Sequence, residues 1–298
     1  MNALSEVTSV EPPLRHWRHY VELTKPRINV FCLLMTLGGL ALAPHAMPLW
    51  KVLATLLGTG FSVGAANALN MYWERETDKL MKRTAQRPLA SGRISAHGAL
   101  LFAILLAIAS VLILGLWVNW LTSALSVFAL LSYAFVYTPL KRVTPHALLI
   151  GAVPGAMPPL LGWTAATNSI SAPGMILFGI LLLWQIPHFI AISVNHERDY
   201  KNAGIKTWPG DRGLRPATMQ AVLYSLALLP VSVLLMPIGT AGILYTTTAT
   251  ALGIWMTVAS LRGFAPEKHK KWAKQLFFAS LVYLPVLTLG LAVDVLLK

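Results

Sequence analysis

Asn70, Glu74 and Asp78 recur at intervals of four. On a helix that spacing puts all three on one face, drifting about 40° per step. Two carboxylates one turn apart repel each other. An oxygen-rich face of like charge makes chemical sense with a cation between its side chains. A second acidic stretch holds Asn195, Glu197 and Asp199, and Asn195 and Asp199 are again four apart. Mg²⁺ usually takes one or two carboxylates and completes its shell with water and substrate phosphate. Two such stretches at one depth suit one or two Mg²⁺ ions.

The same stretches carry the bases a phosphate needs. Lys79, Arg83 and Arg87 step by four beside the acids, and Arg93 follows Ser91-Gly92. Arg198 and Lys201 flank Asp199. Guanidinium forks and ammonium point charges both bind phosphate oxygens. Together these residues fit a metal-bridged diphosphate at the mouth of a hydrophobic cavity. A competing reading has no ligand: Arg75–Asp78, Glu76–Lys79 and Asp78–Lys82 are spaced for local helix pairs. Lys25 and Arg27 sit at a membrane boundary, as snorkelling anchors or as phosphate contacts.

Hydrocarbon must position this chemistry. Of 298 residues, 56% are hydrophobic and only 12% charged, and mean hydropathy is +0.62. A soluble domain carries about 25% charged residues, so the expectation is an all-α polytopic membrane protein around a central cavity. About nine apolar runs approach the ~20 residues a bilayer requires: 28–44, 48–71, 97–116, 119–137, 146–166, 173–193, 218–236, 239–260 and 274–296. Residues 1–27 read as a polar tail without the apolar core of a secretory signal, and 28–298 as one transmembrane domain. Gly151, Pro154, Gly155, Pro158, Pro159 and Gly162 interrupt the fifth run. Broken helices persist in a membrane where protein or a cavity surrounds them, which makes this run a candidate pocket wall or a kinked packing helix.

The net charge of +13 does not indicate nucleic acid, because the bases sit in short gaps between apolar runs. All but Lys51 and Lys298 of the 24 Lys and Arg residues fall in the tail or in alternate gaps. That partition puts the N-terminus and both acidic stretches in the cytoplasm. All acids except Asp294 share that side, and topology alone does not require acids there. The lone Cys32 excludes an internal disulfide.

At these residues the chain resembles the UbiA superfamily of intramembrane prenyltransferases, most closely the branch that modifies haem. The resemblance rests on Asn70 through Thr84, continuing through Arg87-Pro88-Leu89-Ala90-Ser91-Gly92-Arg93. It also rests on Leu23-Thr24-Lys25-Pro26-Arg27, Tyr137 to Arg142, Gly155 to Trp163, Trp184-Gln185-Ile186-Pro187-His188-Phe189, and Asp199 to Ile205. Glu76, Thr77, His146 and Lys206-Thr207-Trp208 depart from the pattern.

The resemblance implies an enzyme of the inner (plasma) membrane. It would move the farnesyl group of farnesyl diphosphate onto a vinyl group of haem B to make haem O. Asn70, Glu74, Asp78 and Asp199 would hold Mg²⁺, supported by Asn195. Lys25, Arg27, Lys79, Arg83, Arg87, Arg93, Arg198 and Lys201 would bind the diphosphate. Trp184, His188 and His196 would contact haem, though a buried His188 bonded within the protein is the commoner case. Membrane lipid surrounds the chain, and pathway logic adds a downstream haem A synthase or terminal-oxidase assembly as partner. Two other readings compete: a prenyltransferase acting on an aromatic quinone precursor, and a transporter of anionic lipid or a non-catalytic assembly factor.

Overall fold

The computed structural model describes residues 13–265 and 269–296, without the side chains of 13–16, 295 and 296. Of the bases used for orientation, Lys268 and Lys298 lie outside the described residues. The chain is helical throughout: α1 Pro13–Leu23, α2 Pro26–Ala41, α3 Leu49–Asp78, α4 Ala96–Leu112, α5 Trp120–Leu131, α6 Thr138–Leu140, α7 Ala147–Gly155, α8 Met157–Thr167, α9 Ala172–Asn195, α10 Glu197–Asn202, α11 Trp208–Arg212, α12 Leu214–Val233, α13 Ile243–Leu261 and α14 His269–Leu296. Wider π-helical turns extend α4 through Ile113–Val118 and join α5 to α6 through Ser132–Tyr137.

A helix forms at each apolar run, and among the described residues seven are long and apolar enough to cross a membrane. The other two differ for local reasons. Pro26 starts α2, which ends at Ala41 after 16 residues. In α13 the threonines at 246, 247, 248, 250 and 257 dilute the apolar content. Each of these five hydroxyls donates to a carbonyl three or four residues back in the chain, so none is left unpaired in hydrocarbon. Outward-facing Leu101, Ile104, Leu105, Ile108 and Leu112 of α4 are exposed, as lipid contact requires.

Small residues let the helices meet backbone to backbone, the packing expected where lipid removes the hydrophobic drive. A Cβ on Gly39 of α2 would collide with the Pro159 carbonyl of α8, and one on Gly162 with the Thr36 carbonyl of α2. The interrupted fifth run breaks at Ala156, between α7 and α8. Buried Gln185 of α9 fills the space beside Gly155 and donates to the Ala152 carbonyl at 3.3 Å. Pro159 also lines an apolar crevice with Met35, Gly38, Leu181, Leu284 and Leu287.

The exceptional acid has a structural task. Asp294, near the end of α14, accepts from the backbone N–H groups of Gly242 and Tyr245 at 2.7 and 2.8 Å. It satisfies donors that the first turn of α13 leaves free.

Candidate functional site

The acidic face is the last third of α3. At 30 residues this helix is about 45 Å long, against about 30 Å of hydrocarbon. The surplus carries its final turns towards the interface while their inner face stays covered. Asn70 is 2% exposed, Glu74 3% and Asp78 1%. Such desolvation is costly unless each group has a partner.

Every one of the three has one. Arg87 Nη1 donates to Asp78 Oδ1 and Oδ2 at 2.9 and 2.8 Å and lies 3.9 Å from Glu74 Oε2. Lys141 Nζ pairs with Glu74 Oε1. Lys25 Nζ donates to Asn70 Oδ1 at 2.9 Å, and Asn70 Nδ2 donates to Thr138 Oγ1 at 3.3 Å. Three cations from separate segments therefore converge on one face.

The backbone explains how they reach it. Pro26 bars its predecessor from the right-handed helical region, and Lys25 takes a left-handed conformation with φ 49° and ψ 70°. That costs about 1–2 kcal/mol for a residue with a Cβ, and it sits where strain is most often functional. The π-helical turn before Thr138 lets that hydroxyl reach back to the Tyr133 carbonyl at 2.8 Å while facing Asn70. Burial, then the nearby Arg87, pulls the Lys25 ammonium down to about 7, with Asp78 opposing. Burial, then Lys25 and Arg142, brings Lys141 to about 7 as well. A phosphate beside the two ammonium groups would raise both values again.

The second loop closes over the first. Lys206 donates its backbone N–H to the Lys141 carbonyl at 2.8 Å. Met81 packs with Tyr200, Ala203 and Ile205. Asp199 is half-buried, 3.9 Å from His196 Nδ1. Among the described residues no group of three or more His, Cys, Asp and Glu forms a metal-sized cluster. The carboxylates thus come as a pair on α3 and a separate Asp199, which matches the one or two that Mg²⁺ takes when substrate oxygens complete its shell. Their hard oxygen atoms suit that ion.

Several expectations change. The four-residue steps do not continue along one helix in either loop. The helix α3 ends at Asp78, and Thr84 Oγ1 donates to the Asp78 carbonyl, turning the chain back. Arg87 arrives by that reversal, while Arg83 is exposed. In the second loop the chain breaks at His196, so Asn195 ends α9 and Asp199 belongs to α10. Lys79 turns outward and donates to exposed Glu76 at 2.8 Å, the local pair weighed above. Arg27, Arg198 and Lys201 are exposed. An open cleft of about 470 Å³ beside the second loop is lined by Val194, Glu197, Leu214, His269, Lys270 and Lys271, and by none of the α3 acids.

Arg93 also serves elsewhere. It meets His19 Nδ1 at 3.1 Å and Glu22 Oε2 at 3.2 Å, and donates to Ser91 Oγ and the Gln86 carbonyl, fastening α1 to the loop. Because it is a third exposed, Arg93→Ala is expected to cost only about 1 kcal/mol. A thermal melt should register that loss, with the affinity for inorganic pyrophosphate unchanged within about twofold.

Lys141, which joins the candidate site through Glu74, lies in the Tyr137–Arg142 stretch of the resemblance, outside both acidic loops.

The UbiA prenyltransferase family model matches residues 32–282. The chain belongs to the UbiA prenyltransferase family. A protein of Myxococcus xanthus named protoheme IX farnesyltransferase is 47% identical over 92% of this chain and 93% of its own length. The solved digeranylgeranylglyceryl phosphate synthase superposes with a TM-score of 0.78 at 21% identity, covering 95% of this chain and 100% of the other. A UbiA homologue from Archaeoglobus fulgidus, solved with GPP and Mg²⁺, gives a TM-score of 0.67 at 17% identity over 92% and 99%. Within this UbiA-family chain two of the sequence departures meet each other: the His146 and Trp208 rings lie 4.9 Å apart, edge to face.

Proposed function

We propose that this chain transfers the farnesyl group of farnesyl diphosphate to a vinyl group of protohaem IX, haem B, forming haem O and releasing diphosphate. The observation that carries the reading is the buried Asn70–Glu74–Asp78 face, met by Lys25, Arg87 and Lys141, in a chain so similar to named protoheme IX farnesyltransferases.

Asn70, Glu74, Asp78 and Asp199 would hold Mg²⁺, with Asn195 in support. Bound there, the ion would offset negative charge on the diphosphate. Lys25, Arg87 and Lys141 present N–H donors to the same oxygens, and their attraction grows as the bridging oxygen leaves with its electron pair. Arg83 flanks the loop mouth. The apolar walls keep water from the allylic cation until the vinyl carbon attacks. Water then adds to the new cation beside the porphyrin and loses a proton, leaving a hydroxyethylfarnesyl group. Trp184, His188 and His196 are the haem contacts in this reading. The enzyme would lie in the inner (plasma) membrane with its N-terminus and both acidic loops in the cytoplasm.

The test offers purified protein, Mg²⁺ and farnesyl diphosphate either haem B or 4-hydroxybenzoate. A haem product heavier by the elements of farnesol is expected, with equimolar diphosphate. A farnesylated benzoate would instead identify a quinone-precursor enzyme, and no transfer to either acceptor would remove the enzymatic reading.

A further inference from the structure

Away from the α3 acids, His188 is a polar side chain of the α9 span held on several sides. Trp184 and His188 stand one turn apart on α9 and grip a single residue of α14. The Trp184 indole N–H donates to the Ser280 carbonyl at 2.8 Å, and His188 Nδ1 lies 2.8 Å from Ser280 Oγ. Ring faces are covered as well: Trp184 stacks on His188 at 4.7 Å and Phe277 at 5.1 Å, with interplanar angles of 20° and 27°. Phe31 of α2 stacks on Trp184 at 6.0 Å.

One proton settles the tautomer. A serine hydroxyl has a single hydrogen, and Ser280 Oγ donates it to the Phe277 carbonyl at 2.6 Å. Toward His188 the same oxygen can only accept, so Nδ1 carries the imidazole hydrogen and Nε2 keeps its lone pair. Trp184 and Phe277 stack on the ring, Phe189 meets it edge-on at 5.6 Å and Nδ1 is bonded to Ser280, so Nε2 is the ring nitrogen that remains for a ligand.

We propose that Ser280 is a positioning residue that holds His188 as the Nδ1–H tautomer, presenting Nε2 to the iron of the porphyrin acceptor. This rests on the reading of His188 as a haem contact. Hydrogen bonding at the far nitrogen fixes ring orientation and raises ligand basicity. Trp184 sets the height of α14 against α9, so hydroxyl and imidazole stay in register.

The experiment is resonance Raman spectroscopy of full-length protein with ferrous haem B and no farnesyl diphosphate. Wild type should show an iron–imidazole stretch that His188→Ala abolishes. Ser280→Ala should move it to lower frequency and weaken haem B binding about tenfold, with the KM for farnesyl diphosphate unchanged. Ser280→Thr keeps the hydroxyl and should restore both, which separates positioning from a packing defect. An unshifted stretch in Ser280→Ala would overturn the role of Ser280 while leaving His188 as ligand. A stretch that survives His188→Ala would overturn the ligand assignment itself, whatever Ser280 does.

Discussion

Asp78→Asn is expected to lower kcat by about 10³-fold, the scale of losing one electrostatic contact to the departing group. The substitution keeps shape and one oxygen, so it removes charge and little else. At 1% exposure the carboxylate is a fully desolvated charge, stabilised by the two contacts from Arg87. Without it, Arg87 keeps only the longer contact to Glu74, 3.9 Å away, and a divalent ion would lose one of the two carboxylates on α3. Some stability should go too, because breaking a buried pair strands the partner, at about 3 kcal/mol when both are buried. Arg87 is 21% exposed, so water recovers part of that cost. Adding Arg87→Gln to Asp78→Asn should therefore regain stability without regaining turnover. Steady-state kinetics beside a melt in the same detergent separates the two effects. Activity that returns with stability would mean that Asp78 only braces the fold.

Gly162→Val should have the largest effect on folding. A side chain there meets the backbone oxygen of Thr36, not the flexible end of another side chain, so α2 must move away from α8. Overpacking of this kind costs about 3 kcal/mol, a fall of roughly 5 °C in melting midpoint for a chain of this size. Catalysis should suffer with it, since α2 begins one residue after Lys25 and carries Phe31 against Trp184. Gly38 is the internal control. It lies next to Gly39, yet a Cβ there meets nothing within 4 Å, so Gly38→Ala should leave both melt and activity in place.

What the sequence disclosed follows from the range of the interactions involved. Hydrocarbon thickness imposes a length, so each apolar run announced its helix. The Asn70–Glu74–Asp78 face was legible because one helix carries it at a fixed spacing. Extending the same spacing to Arg83 and Arg87 failed because Thr84 turns the chain by bonding the Asp78 carbonyl, an interaction between residues six apart. The Lys79–Glu76 pair was readable as a local contact, and it is one. The contacts of Arg93 to His19 and Glu22 were not legible, because those partners lie on α1, more than 70 residues earlier. Lys141 was missed for the same reason, since nothing near it in sequence indicates that its ammonium reaches Glu74. The Ser280 contacts to α9 span more than 90 residues and leave no local pattern.

Equilibrium binding of inorganic pyrophosphate to the purified full-length protein, with and without Mg²⁺, tests the central claim most directly. Two carboxylate groups from distant loops are held to cooperate through metal and phosphate. Binding should require Mg²⁺ and weaken at least tenfold in Asp78→Asn and in Asp199→Asn, both still folded by melt. Tight binding without Mg²⁺, or undiminished affinity in both variants, would contradict the account.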